Sequence, residues 1–562
     1  MNPRLLSALR VFAALALINT LLSLRNWWPT PGVLPDARLA PEAVLGFALL
    51  AAWVAWRGVP GRRGLWLISG AVVLLALGRY FDVTVPALFG RPVNLYWDGQ
   101  QIPTFLWVSA REYPWWVSVA LAGALAAVLA LLVGAARWAV GVAAREAAPA
   151  VPQRRWALAL TALAVLAVCA HLFKAVPHLT WHWVADPITP TYARQSVLLA
   201  NAFLPGRVER VLPAATVVDQ ALQQPPGQAL AGLRGRDFKL IFLESYGAMA
   251  FEHPRVAPRL DAARAALARQ LQASGHLVAS AYVKAATFAG ASELSHLSLL
   301  SGMDLSDPLR HDLLLTTERA TLTALFRREG YESFGLYPAL SWDWPERRVY
   351  GFDRFLDGRD LDWRGPPLGY WKIPDQYALA KFEALHPRAG DAPPRFLFFP
   401  TITTHLPFGP VPPYQPDWAR LLGADPYGQE ESQRLLASFV DWIDMLPNYV
   451  AMFEWTYQWL GGWLARGEPR ESVMLWVGDH QPAASVSGAG ASWTVPVHLV
   501  TRDPALLERF VALGFTPGLT PRGPELGGMH DLTAVLLHGL GAPATAATTA
   551  TAAAAAGTPL AR

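Results

Sequence analysis

Five residues between positions 244 and 480 carry side chains suited to chemistry and share a kind of position. Glu244, Thr287, His405, Asp479 and His480 each end or closely follow an apolar run, in "FKLIFLES" (238–245), "HLVASAYVKAA" (276–286), "RFLFFPTITT" (395–404) and "SVMLWVGD" (472–479). Brought together, Glu244, Thr287, Asp479 and His480 offer hard oxygen and nitrogen donors for one divalent metal ion, Mn²⁺ or Zn²⁺. Such an ion favours the deprotonated threonine oxygen at neutral pH and so makes a nucleophile of Thr287. His405 then binds a substrate oxygen or protonates a leaving group. Singly, each residue has an ordinary structural role: Glu244 as a strand-end acid, Thr287 as the N-cap of "FAGASELSHLSLL", His405 as a loop residue before the turn-forming Pro407. Metal-compatible residues at the ends of four separate runs favour the chemical reading.

The elements that must position these residues alternate along residues 235–541. Two further strand candidates are "ESFGLYPA" (332–339) and "VPVHLVT" (495–501), and stretches such as 257–274 between strands place apolar residues at helical spacing. This alternation predicts an α/β domain with a largely parallel central sheet. Ligands bind such sheets outside the carboxyl ends of the strands, where the five residues fall.

The first third of the chain is of another kind. The whole sequence is 53% hydrophobic and 16% charged, against about 25% charged for soluble domains. Apolar segments at roughly 7–24, 41–57, 65–80, 114–136 and 156–173 predict five transmembrane helices within a membrane domain spanning 1–176. Arg4, Arg10, Arg57, Arg62, Arg63, Arg137, Arg145, Arg154 and Arg155 lie in alternate segments that hold one acid, Glu146. The positive-inside rule puts those segments and the N-terminus in the cytoplasm and the C-terminal domain on the outer face. Residues 177–234 read as a juxtamembrane linker with helical segments, and 542–562 as a low-complexity tail. The net charge of +4 is spread along the chain, so no basic tract points to nucleic acid, and the single Cys169 excludes an intrachain disulfide.

Five helices followed by "FLESYG", "ATFAGASELSHLSLLSG", "TITTHLPF" and "WVGDHQP" resemble the sulfatase-like branch of the alkaline phosphatase superfamily. Within it the likeness is to lipoteichoic acid synthases and to membrane phosphoglycerol transferases of periplasmic glucans. The resemblance runs over nearly the whole chain. It implies an alkaline-phosphatase-like fold, metal ligation by Glu244, Thr287, Asp479 and His480, and a substrate-phosphate contact from His405. It further implies that Thr287 attacks a membrane phospholipid, releases diacylglycerol and passes a phosphoglycerol-type group to an extracytoplasmic glycan or glycolipid. Lipoteichoic acid synthases carry a Trp-Asn-Arg-like phosphate-binding element. Here the comparable stretch, 342–357, has Trp344, then Glu346 where the arginine would lie, with Arg347 or Arg348 as substitutes.

Two serines compete with Thr287. Ser292 has a spacing to "LLSG" closer to that of the sulfatase nucleophile, and Ser306 lies in "SDPLR", a formal match to a serine-type sulfatase pattern placed after "LLSG" rather than before it. Alternatives to the phosphoglycerol reaction are phosphoethanolamine transfer, hydrolysis by a sulfatase or phosphodiesterase, and a non-catalytic membrane sensor or scaffold. The expected location is the bacterial cytoplasmic membrane, with the catalytic domain periplasmic or extracellular.

Overall fold

The computed structural model describes residues 3–542 apart from 28–29, 90–91, 97, 100–101, 104–113, 151–158, 160, 167–182, 205–210, 316, 342–343, 345, 370–371, 389–391, 439 and 469. The chain divides into two compact units, Met1–Leu204 and Pro205–Arg562.

The first unit is helical. Among the described residues its four longest helices are α1 (Pro3–Ser23), α2 (Pro41–Arg57), α3 (Arg62–Phe89) and α4 (Trp115–Ala150). Small side chains mark their contact surfaces: Ala14 of α1, Ala43 of α2, Ala76 of α3, and Ala139, Ala143 and Ala144 of α4 are all buried. Such residues let helix backbones approach closely where packing must replace a hydrophobic driving force. Large apolar residues, among them Phe12, Leu67, Trp115 and Leu131, point outward instead. Three stretches are long and apolar enough to cross a membrane, Leu5–Ser23, Arg62–Leu88 and Trp115–Glu146. Among the described residues, three of the five expected spans are thus long and apolar enough to cross. The second expected span forms α2, which has 17 residues, at the lower limit of about 17 to 25 for a crossing helix. The fifth lies outside the described residues except for 159 and 161–166, and the tail lies outside them from 543 onward.

The second unit is built on a nine-stranded sheet. Its strands are β1 (Asp237–Leu243), β2 (Leu277–Lys284), β3 (Glu332–Tyr337), β4 (Arg354–Asp357), β5 (Arg395–Pro400), β6 (Ser472–Gly478), β7 (Thr494–Thr501), β8 (Thr516–Pro517) and β9 (Glu525–Gly528). The spatial order is β8-β2-β7-β6-β1-β5-β3-β4, with β9 also paired to β2. Strands β6, β1, β5, β3 and β4 run parallel, β7 runs against both β6 and β2, and β8 runs against β2. The sheet is thus mixed and largely parallel. All six expected strands form. The three that sequence periodicity missed, β4, β8 and β9, have two to four residues and lie toward the sheet edges, where half-exposed strands show weak apolar patterning.

The central strands are apolar over most of their length, from Leu240, Phe396 and Val473 onward, because helices cover both faces. On one face Ile241, Leu243, Met474 and Trp476 pack with Leu260, Leu267 and Leu271 of α5 (Ala257–Ala273). On the other, His296 of α6 (Ser292–Ser301) sits 4.5 Å from the ring of Phe242 and 5.5 Å from that of Phe398. The same core on the first face takes Tyr449, Phe453 and Trp459 from α7 (Leu446–Ala465), and a last helix, α8 (Asp531–Leu540), meets α6 where Thr533 Oγ1 donates to Leu299 O.

Candidate active site and metal centre

Strand register builds the centre of the site. Leu243 and Gly478 are the last paired residues of β1 and β6, so the next residue on each strand, Glu244 and Asp479, emerges beside the other at the carboxyl edge. The pairing is tight: a Cβ on Gly478 would lie 1.9 Å from Tyr246 O, so only glycine fits before Asp479. Asp479 Oδ1 accepts the backbone N–H groups of Ser245 at 2.8 Å and His480 at 2.7 Å. Glu244 is fixed in turn. Its N–H donates to Thr401 Oγ1 at 3.0 Å, its carbonyl accepts from Thr404 Oγ1 at 2.5 Å, and its Oε1 accepts from Ser245 Oγ at 2.9 Å.

His480 completes a buried cluster. One ligand atom from each of Glu244, Asp479 and His480 lies within 4.8 Å of the others, with His480 Nε2 at 3.4 Å from Glu244 Oε1 and 3.6 Å from Asp479 Oδ2. The other ring nitrogen, Nδ1, is 2.8 Å from Gln481 O. Only a protonated Nδ1 can donate to that carbonyl, so in the neutral ring the Nε2 lone pair faces the carboxylates, the tautomer a metal ligand needs.

The electrostatics suit a cation. Burial, with Glu244 alongside, pushes the Asp479 carboxyl up to about 7. Burial alone would lower the His480 imidazole, but Asp479 and Glu244 outweigh it and hold it above its ordinary range. Among the described residues, His480 is the sole basic side chain ion-paired with either carboxylate. Two acids packed together without Lys or Arg form a centre whose charge a divalent ion would balance. Oxygen and imidazole donors fit Mn²⁺ or Zn²⁺ equally.

The hydroxyl at this cluster belongs to Ser292. Its Oγ is 3.3 Å from Glu244 Oε2 and 3.2 Å from His480 Nε2. Thr287, the residue expected there, donates its hydroxyl to Gly290 O at 2.7 Å, its one side-chain hydrogen bond among the described residues. The geometry therefore brings Ser292, and not Thr287, to the ligand cluster. The intervening turn explains the change. Ala289 and Ala291 have φ of 60° and 55°, and Gly290 has φ of 142°. These left-handed conformations, uncommon outside glycine, fold 287–291 back on itself and deliver the first residue of α6 to the site. Ser306, the other rival, donates to Asp304 Oδ1 at 2.6 Å and has no bond to the cluster among the described residues.

The remaining expected residues take separate places. His405 is half-buried, with Nδ1 at 2.7 Å from Leu406 O, and lies within electrostatic reach of His480 and Asp479. Burial lowers its imidazole below the ordinary range, so the ring is neutral near pH 7. Trp344 packs 5.1 Å from Tyr337 and 5.0 Å from Tyr350, while the Arg347 guanidinium lies 5.1 Å over Phe355. Neither Trp344 nor Arg347 contacts Glu244, Asp479 or His480 among the described residues.

Several supporting residues carried no signal of their own in sequence. Ser295, one turn beyond Ser292, accepts the Ala286 N–H at 3.2 Å and donates to Asp479 O at 2.6 Å. Gln481 Oε1 fills the space beside Gly247, where a Cβ would lie 1.7 Å from it. The available clue was glycine next to the motif residues, in "ESYG" and "VGDH".

Residues 237–497 match the family model described as Sulfatase. Similar solved structures include a protein in the alkaline phosphatase superfamily from Vibrio parahaemolyticus, with 14% identity over 62% of this chain and 74% of that one at a TM-score of 0.36. The lipoteichoic acid synthase LtaP from Listeria monocytogenes shares 12% identity over 48% of this chain and 65% of that chain, just under two thirds, at a TM-score of 0.31. The Streptococcus pyogenes phosphoglycerol transferase GacH, solved with sn-glycerol-1-phosphate, shares 11% identity over 61% of this chain and 81% of that one at a TM-score of 0.36. No curated protein matches the chain significantly.

Proposed function

We propose that the protein is a metal-dependent phosphotransferase that moves a phosphoglycerol-type group from a membrane phospholipid to an extracytoplasmic glycan or glycolipid. The observation that carries this reading is a serine hydroxyl hydrogen-bonded into a buried Glu–Asp–His cluster at the carboxyl edge of a Sulfatase-family sheet. Glu244, Asp479 and His480, with the Ser292 oxygen, would hold one Mn²⁺ or Zn²⁺. When bound, such an ion stabilises the ionised serine oxygen and the charge on a phosphate opposite it.

The chain's own groups supply the rest. Ser292 Oγ attacks the donor phosphorus, and the bond from phosphorus to the diacylglycerol oxygen breaks as the Oγ–P bond forms. His405, whose Nδ1 lies against Leu406 O, is assigned the transfer of the serine proton to the departing oxygen. In the second step an acceptor hydroxyl forms the new O–P bond, the Oγ–P bond breaks, and the acceptor's proton returns to Oγ by the same imidazole. Trp344 and Arg347, at the carboxyl end of β3, are the candidates for contact with the donor headgroup.

The lipid donor is favoured by the first unit, with three helices long and apolar enough to cross a membrane. Three crossings or five are both odd, and the arginine distribution puts the N-terminus in the cytoplasm, so either count carries the second unit to the outer face of a cytoplasmic membrane. Product analysis tests the reaction. With phosphatidylglycerol vesicles, a glycan acceptor and Mn²⁺ or Zn²⁺, the expected products are diacylglycerol and a phosphoglycerol-modified glycan. Free glycerol phosphate as sole product would establish hydrolysis instead, and an ethanolamine phosphate product from phosphatidylethanolamine would reassign the headgroup.

A further inference from the structure

A transferase needs a seat for its acceptor, and the second unit has a cavity of about 500 Å³ that the donor chemistry leaves unused. We propose that this cavity binds a sugar ring of the acceptor glycan; the assignment of an acceptor rests on the transferase reading above. Its lining includes Lys284, Ala286, Asp304, Ser306, Trp493 and His530.

Its position fits that role. Strand β7 runs against both β6 and β2, so β2 points the same way as β6 and the cavity beyond Lys284 lies at the sheet edge that carries Glu244 and Asp479. Two hydrogen bonds join its wall to the candidate metal centre: Ala286 N–H to Ser295 Oγ at 3.2 Å, and Ser295 Oγ–H to Asp479 O at 2.6 Å. None of the polar residues lining it contacts the Glu244–Asp479–His480 cluster among the described residues.

Its chemistry suits a neutral polyol. The half-buried Trp493 is held in place, with its ring 6.0 Å from that of Phe288 and its carbonyl accepting the Ala285 N–H at 2.9 Å. An indole face is electron-rich and takes the polarised C–H groups of a pyranose against it. Around it stand a donor, Lys284, and an acceptor, Asp304, whose Oδ1 is steadied by the Ser306 N–H at 3.0 Å and hydroxyl at 2.6 Å. His530, the residue before α8, lines the cavity as well. One cation, one carboxylate and an imidazole around an aromatic face match the mixed donors and acceptors of sugar hydroxyls better than a phosphate or an ammonium group. The volume is within the range of about 300–1,000 Å³ usual for small-ligand sites and holds one or two rings.

Saturation-transfer NMR and calorimetry on the full chain in detergent micelles, with maltose, cellobiose and chitobiose as probes, test the proposal. At least one disaccharide is expected to bind. Trp493→Ala and Asp304→Asn should each weaken that binding by about tenfold or more, with Trp493→Phe retaining most of it. Failure of all three sugars to bind, or binding that Trp493→Phe, Trp493→Ala and Asp304→Asn leave unchanged, would overturn it. The phospholipid-derived adduct on Ser292, scored by mass spectrometry in the same preparations, separates the two readings. An adduct without sugar binding removes the cavity assignment alone, whereas sugar binding without an adduct removes the transferase reading and with it the acceptor role.

Discussion

Ser292 Oγ and His480 Nε2 lie 3.2 Å apart, although 188 residues separate them in the chain. The contact joins the N-terminus of α6 to the residue pair that follows β6, and it makes the serine part of the same buried cluster as Glu244. Everything proposed about covalent chemistry turns on that contact, so it is the first to test.

Ser292→Ala is expected to abolish the phospholipid-derived adduct and to cut transfer by about a thousandfold or more, as for loss of a nucleophile. Thr287→Val should retain the adduct, because the Thr287 hydroxyl serves the Gly290 carbonyl. Both residues lie on one tryptic peptide, so fragmentation must place the added mass. An adduct found on Thr287 would reverse the assignment.

Metal binding should depend on pH with a definite sign. The Asp479 carboxyl sits at about 7 in the fold, above the ~3.9 of an unfolded aspartate. The native metal-free protein then holds a proton that the unfolded chain releases, and its stability falls as pH rises from about 4 to about 7. A divalent ion replaces that proton, so metal affinity should climb over the same interval and level off above it. Thermal melts with and without chelator check this: the melting temperature of the chelated protein should drop from about pH 5 to pH 7.5 while that of the loaded protein holds level. Asp479→Asn should lose stoichiometric metal yet raise the melting temperature of the chelated protein, since an amide oxygen can still accept the Ser245 and His480 N–H groups.

Gly478→Ala probes the register that sets Glu244 beside Asp479. The added Cβ meets a backbone carbonyl, Tyr246 O, at 1.9 Å, and the strands must shift to admit it. The expected cost is about 1–3 kcal/mol of stability together with weakened metal binding. Calorimetry with metal titration measures both, and an alanine variant with full metal affinity would show that the edge tolerates the shift.

At the opposite end of the same strands, Lys239 is ion-paired with the buried Glu468, which also accepts from Ser472 Oγ at 2.7 Å. Burial opposes ionisation of Glu468, but Lys239 and its hydrogen-bond partners hold it near 2. That stabilisation is full above the unfolded value of ~4.3 and is lost as pH falls toward 2. Lys239→Met leaves the carboxylate without its nearest cation, the His276 ring at 3.9 Å being its other basic partner, and should cost about 3–5 kcal/mol at neutral pH, largely recovered by adding Glu468→Leu. A single variant as stable as the parent in thermal melts would show the pair to be dispensable.

Much of this was legible in the chain because strand ends and sheet edges are local facts. Apolar runs as regular as those of β1, β5 and β6 state their own boundaries, and Glu244, Asp479 and His480 stand where those runs stop. Covering helices on both faces made the runs continuous, and their alternation with helical stretches is what announced a largely parallel sheet. The short edge strands β4, β8 and β9 and the support given by Ser295 and Gln481 were not legible, since each depends on a neighbour distant in sequence.

What the sequence by itself determined, then, is the division into an apolar helical part and an α/β part and the identity of the two acids and the histidine, because hydropathy and residue type are written in the chain. Which hydroxyl joins them was decided only by tertiary structure. Thr287 and Ser292 are five residues apart in one motif, and their order says nothing about direction. The left-handed turn at Ala289, Gly290 and Ala291 points one hydroxyl to a local carbonyl and the other to Glu244 and His480. Such a turn holds only because the surrounding packing fixes backbone angles that these alanines would not adopt in isolation.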